Sequence, residues 1–312
     1  MRFEDKDLRT ILIHVAQPEL NMQGNAAAFE AWAIILRSQQ NINVELSFDI
    51  PTGCQIDSEI MAKDDSRKQH FLRFLFRAWK FSEVMDWFSI STGHCEDVVL
   101  KFKEFFLKTE IINNVPECEA EISKSDKKKE HIIENVFVRV RDSKNLIRSR
   151  EKIDLPDNLF NQLPNGLFEG KSCQKKAKMF PTGFFDLWGV DSKDELWLFE
   201  LKTEGNKCAG IVSELFFYAN YAKCVFMDKR YNEVYRDFRG YDALARAAER
   251  GISKINACFL ASEYHPEIEN YFEAIEKIMN AKNSGIHYRF LTYDHSGVSK
   301  LAPTILQQES TM

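Results

Sequence analysis

The chain is poor in the recurrent signatures of disulfide-stapled and cofactor-dependent proteins. Its seven cysteines, at 54, 95, 118, 173, 208, 224 and 258, are odd in number, and no two stand in a CxxC spacing. That argues against a disulfide framework or a zinc knuckle and leaves reduced thiols in the cytosol as the expectation. The histidines show no HxxxH or HxH spacing, and His94-Cys95 is a lone pair rather than a ligand set. GxGxxG, GxxxxGK[ST] and GxSxG are all absent, so dinucleotide, P-loop and serine-hydrolase readings lack support. No apolar run approaches the roughly 20 residues needed to span a bilayer. The opening MRFEDKDLRT lacks the apolar core of a signal peptide. The expectation is a soluble, cytoplasmic protein with no membrane partner.

A global excess of positive charge is missing too. The net charge is −5, so any case for a polyanionic partner must be local. One segment makes that case. Lys124 to Lys178 holds 14 Lys or Arg against 8 Asp or Glu, a net of +6, which leaves −11 for the rest. Within it, KSCQKKAKMF (171–180) carries Lys171, Lys175, Lys176 and Lys178, the candidates for contact with a nucleic-acid backbone. A solvated face is the commoner fate of such a charge run.

The 312 residues suffice for about two domains, and 44% hydrophobic with 29% charged residues is ordinary for a globular chain. Residues 8–15 read as a strand, 25–39 as a helix, and 43–50 as a half-buried strand whose apolar residues alternate from Val44 to Ile50. Helices are expected over about 67–87 and 96–108. In the first of these, Arg73, Arg77 and Lys80 interleave with Phe71, Phe74, Trp79 and Phe81. Such a stripe can stack bases, but on a helix it more often forms core, with the basic residues at its edge.

Polar residues with one proline at 113–129 mark an expected boundary between a smaller α+β domain (1–120) and a second domain (121–312). Residues 131–140 follow with apolar residues at helical spacing, though their β-branched members also allow a strand, and then comes a loop-rich stretch over 152–180. Strand 224–227, helix 241–250 stopped by Gly251, strand 254–261, helix 266–282 and strand 286–293 complete an α/β pattern with a mixed central sheet and flanking helices. The tail from Pro303 is expected to fray. His265 reads as a structural histidine.

The most informative stretch is 184–221, which reads as strand, tight turn, strand, loop and helix. Alternation along its second strand puts Glu200 and Lys202 on one face and Phe199 and Leu201 on the other. Asp186 lies on the facing strand and can sit beside Glu200. Two carboxylates and an amine then converge where a strand would otherwise carry apolar residues, a costly arrangement unless the groups are paired or hold a cation. On the following helix, Glu214 and Tyr218 are four apart and share a face.

An Asp on one strand followed by Glu-x-Lys on the next resembles the PD-(D/E)XK phosphodiesterase superfamily, matched here by Asp186 and Glu200-Leu201-Lys202. The resemblance covers roughly residues 125–300. Two positions depart from the pattern: Glu214 replaces a helical Gln, and Phe185 stands where a Pro often precedes the Asp. The resemblance implies a restriction-endonuclease-like core. It further implies Mg²⁺ or Mn²⁺ held by Asp186, Glu200 and the Leu201 carbonyl, with Lys202 positioning water or stabilising developing charge. Glu214 would join the metal ligands or hold Lys202, and Tyr218 would bond one of these groups or pack as core. Glu134, on the helix before the hairpin, is a further acid by the same resemblance, against an exposed surface glutamate. The expected function is a nuclease with a nucleic acid as partner, DNA being favoured although the sequence does not separate it from RNA, and the resemblance leaves a homodimer open because members often cut two strands as dimers. The alternatives are a catalytically silent nucleic-acid- or protein-binding scaffold, or a salt-bridged hairpin in an unrelated α/β protein.

Overall fold

The computed structural model describes residues 1–56, 65–113, 129–170, 175–181, 183–229, 232–233 and 238–309. The first half opens with β1 (Arg2–Asp7), β2 (Thr10–Val15), α1 (Phe29–Gln40), β3 (Asn43–Phe48), α2 (Ser66–Val84), β4 (Phe88–Ile90), α3 (His94–Lys108) and β5 (Ile111–Asn113). The charged RFEDKD of β1 is an exposed edge strand, and it pairs antiparallel with β2. Strands β2, β3 and β4 are mutually parallel, wound by α1 and α2. The α+β layout expected here therefore gives way to βαβ windings. Asp65 caps α2 by accepting from the Arg67 and Lys68 amides.

The second half contains α4 (Lys129–Arg139), β6 (Ile147–Arg148), β7 (Phe160–Asn165), β8 (Leu167–Glu169), β9 (Gly183–Val190), β10 (Leu196–Lys202) and α5 (Ile211–Ala222). Beyond them lie β11 (Asn232–Glu233), α6 (Tyr241–Arg250), β12 (Ile255–Ala261), α7 (Pro266–Glu269), α8 (Phe272–Met279), β13 (Ile286–Tyr293) and α9 (His295–Glu309). Its mixed sheet runs β6-β13-β12-β10-β9-β7, with β10, β12 and β13 parallel. A small sheet, β11-β5-β8, joins residues of both halves.

Three expectations are corrected. Lys223–Met227 is not a strand but a π-helical turn continuing α5, with Cys224, Val225 and Phe226 buried in the large core cluster rather than in a ladder. The helix over 266–282 is two short helices, α7 capped by His265, whose Nδ1 accepts from the Glu267 amide, and α8. Helix α9 runs through Pro303 rather than fraying there.

The six-stranded sheet buries both faces. Trp197, Phe199 and Leu201 join Ile133, Phe137 and Val298 in one cluster beneath α4 and α9. Leu196 and Leu198 face α5, whose twelve residues are all buried, and that helix is sandwiched against the first half. Phe76 meets Phe217 with ring centroids 5.9 Å apart, and Phe81 meets Phe216 at 5.2 Å. Arg77 pairs with Glu30 at full burial and donates to the Ala27 carbonyl, while Ser213 donates to the same Glu30. One continuous cluster of buried side chains, from Ile13 to Phe290, thus crosses the expected boundary. The stripe on α2 is core.

Candidate active site

The hairpin turn forms as its polar residues dictate. Asp191 Oδ1 accepts from the Lys193 and Glu195 amides, and Asp194 takes a left-handed φ of 59°. From this turn β9 and β10 pair as far as Leu187–Phe199, and there the ladder stops. The next pair would have been Asp186 with Glu200. Strand β10 stays paired with β12 up to Lys202–Ala261, so it is β9 that departs. The Leu201 amide is freed by the parting, and Asp186 Oδ2 accepts its hydrogen bond at 2.8 Å. On the other side of β9, the residue opposite Asp186 in register is Gln162, unpaired and held at φ 57°. Backbone pairing lapses on both sides of Asp186, as it does at strained functional positions.

Glu200 and Lys202 leave β10 on the α5 side, buried to 2% and 6% exposure. Lys202 Nζ hydrogen-bonds Glu200 Oε1 and lies 3.0 Å from Glu214 Oε2. Glu214, in the first turn of α5, accepts from Gln23 Nε2 of the first half. Glu134 is buried rather than exposed at the surface, and it accepts from Gln162 Nε2 at 2.8 Å. The Tyr293 hydroxyl closes the end of β10 by donating to the Lys202 carbonyl at 3.2 Å. Asp186, Glu200, Lys202, Glu214 and Glu134 therefore form one neighbourhood at the carboxyl ends of the parallel strands, where open α/β sheets bind ligands.

The charges do not balance. Burial pushes the Asp186 carboxyl up to about 8; Lys202 opposes the shift, while Glu134 and Glu214 add to it. Burial, then Asp186 and Glu214, raise Glu200 well above the ordinary carboxylate range. Burial opposes the charge of Lys202, but Glu200, Glu214 and Asp186 outweigh it and drive its pKa upward. Glu214 goes the other way. Burial works against its charge, yet Lys202, Glu200 and Gln23 hold its carboxyl below the usual value. Lys202 thus serves Glu200 and Glu214 together, and burial with the neighbouring carboxylates leaves Asp186 and Glu200 raised while Glu214 is lowered.

That surplus of hard oxygen donors fits a small divalent cation. Mg²⁺ keeps several waters and needs only one or two carboxylates, which Asp186 and Glu200 supply. A ready-made cage of three or more His, Cys, Asp or Glu residues does not occur among the described residues.

Other expected members fare differently. Tyr218 is 7% exposed, with its ring 4.9 Å from that of Phe185, so it packs as core. Lys171 lies outside the described residues, as does the side chain of Lys175. Lys176 is exposed and Lys178 half-buried. A groove of about 290 Å³ lined by Lys129, Ile133, Thr203, Glu204, His295 and Val298 opens beside the end of β10. A larger one, about 410 Å³, with Trp197, Lys254 and Asn256 among its lining, lies at the opposite, amino end of the parallel strands.

Gln23 and Gln162 went unrecognised in the sequence. Each reaches its carboxylate over a long separation, 191 and 28 residues, and neither sits in a pattern that betrays it. No protein-family model, curated protein or solved structure matches this chain.

Proposed function

We propose that this protein is a Mg²⁺- or Mn²⁺-dependent phosphodiesterase, a nuclease acting on the backbone of a nucleic acid, with DNA the favoured substrate. The observation that carries the reading is the parting of β9 from β10 at Asp186 and Glu200, beside a buried Lys202. A salt-bridged hairpin in an unrelated fold has no reason to break its ladder where its acids sit, nor to bury more carboxylates than it has amines.

In this reading Asp186 and Glu200 hold the cation with the Leu201 carbonyl. A bound divalent ion supplies a water of lowered pKa and relief of charge on the phosphoryl group. Lys202 orients the attacking water and stabilises the charge that builds on the phosphoryl oxygens. Glu214 holds Lys202 in place against Glu200, and Gln23 holds Glu214. Glu134 fixes Gln162, and with it the irregular turn of β7 facing Asp186.

The test is Mn²⁺-dependent cleavage of plasmid and of single-stranded DNA by the full chain, with Lys202→Ala as control. Cleavage by wild type that Lys202→Ala abolishes is the expected result. Cleavage that survives the substitution removes the assignment. Divalent-ion binding without cleavage points to the silent scaffold instead.

A further inference from the structure

Two arginines one turn apart on α2 have unlike surroundings. Arg77 is fully paired: its guanidinium meets Glu30 and the Ala27 carbonyl. Arg73 is buried to 7% exposure and meets no carboxylate among the described residues. Its guanidinium contacts His70 Nδ1 at 2.8 Å and lies 5.6 Å from the centre of the Phe217 ring. Burial and the two neighbouring arginines pull the His70 pKa down to about 4, so the ring is neutral and accepts from Arg73 rather than opposing it. Neither an aromatic face nor a neutral imidazole neutralises a guanidinium. A buried cation without a counter-ion is costly, and such a residue is ordinarily paired.

The ionisable groups near Arg73 are mixed in sign. Burial lowers its pKa to about 10, and Tyr218 is the ionisable neighbour acting most strongly on it, with Arg77 and Glu214 behind. The Tyr218 hydroxyl forms no hydrogen bond among the described residues. It points at Gly183, where β9 begins: a Cβ built on Gly183 would lie 3.1 Å from that oxygen and 3.4 Å from the Asn165 amide. The Asn165 amide nitrogen, 1% exposed, likewise has no acceptor. Beside the start of β9, three residues before Asp186, the Asn165 amide thus lacks an acceptor and the Tyr218 hydroxyl lacks a hydrogen bond among the described residues, while Arg73, which acts on Tyr218, has neutral His70 as its acceptor and no counter-ion.

We propose that Arg73, the Tyr218 hydroxyl and the Asn165 amide form an anion subsite that takes a phosphoryl group of the substrate beside the acid cluster. This deepens the reading above and rests on it for the identity of the substrate. The planar fork of Arg73 suits two oxygens of a tetrahedral anion, and the absence of a side chain at Gly183 lets the Tyr218 hydroxyl and the Asn165 amide sit close against the backbone there. A phosphoryl group could come from a strand terminus or from within the backbone, and the experiment separates the two.

The probe is inorganic phosphate, titrated at constant ionic strength into the metal-free full chain and followed by thermal shift and ³¹P line broadening. Wild type is expected to be stabilised by phosphate, with Arg73→Met binding it about 10- to 100-fold more weakly. Arg73→Lys, which keeps the charge and loses the fork, should fall between them and covers the case in which Arg73→Met does not fold. Mn²⁺ binding should be unchanged in both, whereas Asp186→Asn should lose Mn²⁺ and keep phosphate. A phosphate response equal in wild type and in the Arg73 variants, or absent in wild type, overturns the subsite. If wild type binds no Mn²⁺ but phosphate binding still depends on Arg73, the hydrolase reading fails and the subsite stands. Displacement of phosphate by a 5′-phosphorylated oligonucleotide alone assigns the subsite to a strand end. Displacement by the 5′-hydroxyl form as well assigns it to an internal phosphodiester, and displacement by neither overturns its link to nucleic acid.

Discussion

The raised pKa of the buried Asp186 carboxyl makes the metal-free protein lose stability as pH rises through neutrality, and the size of the loss follows from the site. A carboxyl whose pKa is higher folded than unfolded contributes stability in full below its unfolded value and loses it as pH climbs through the folded one. For Asp186 those values are 3.8 and about 8. Four pH units at about 1.4 kcal/mol each set a ceiling of about 6 kcal/mol across the whole span. The interval from pH 7 to pH 8 is the clean one. His70 and His287, both depressed to about 4 by burial, add stability only as pH rises toward 6.5 and are silent above it. The buried thiols Cys54, Cys95 and Cys258 are raised above 9.0 and titrate later. Over that single unit, release of the Asp186 proton costs about 1 kcal/mol. Urea unfolding at pH 7.0 and 8.0 measures this directly. Wild type should be about 1 kcal/mol less stable at the higher pH. Asp186→Asn, which can still accept from the Leu201 amide, should shrink the difference by about 1 kcal/mol. A wild-type stability that is flat or rising over the interval, or a slope unchanged in Asp186→Asn, would refute the charge assignment.

Further outcomes follow from other contacts. Arg77→Met strands Glu30 in the core and should destabilise by about 3–5 kcal/mol in denaturant melts, whereas Glu30→Leu combined with Arg77→Met should recover most of the loss. Gly210→Ala places a Cβ 2.1 Å from the Gln23 carbonyl oxygen, so the Gln23 loop must move off Glu214. Activity should fall with a lowered thermal midpoint, while Gly205→Ala, whose Cβ meets nothing within 4 Å but whose φ is +84°, should cost stability without touching that contact. Gln23→Ala should lower turnover by acting through Glu214, with Mn²⁺ affinity little altered; unchanged turnover would separate the first half from the chemistry.

Which parts were legible in the chain tracks the range of the forces involved. The hairpin and its facing residues follow from a period of two and a polar turn, both local, so Glu200 and Lys202 landed on one face as alternation requires. The same local logic misread 224–227, where a short run of β-prone residues is held in a helical turn by burial against its surroundings. Strand β1 was invisible because an edge strand of charged residues carries no apolar period. Glu134 could pass for a surface glutamate because the Gln162 that buries it sits on a strand 28 residues away, in a conformation no spacing announces. Arg73 and Arg77 look alike in sequence. Only the fold shows that one has its anion and the other does not.

The sharpest test of the acid cluster is calorimetric titration of Mn²⁺ into metal-free protein at pH 7, repeated in buffers of different ionisation enthalpy. Stoichiometric binding accompanied by net proton release, both lost in Asp186→Asn and in Glu200→Gln, is the predicted result. Absence of binding, or binding that releases no protons and survives both substitutions, would contradict the claim that these carboxylates await a cation.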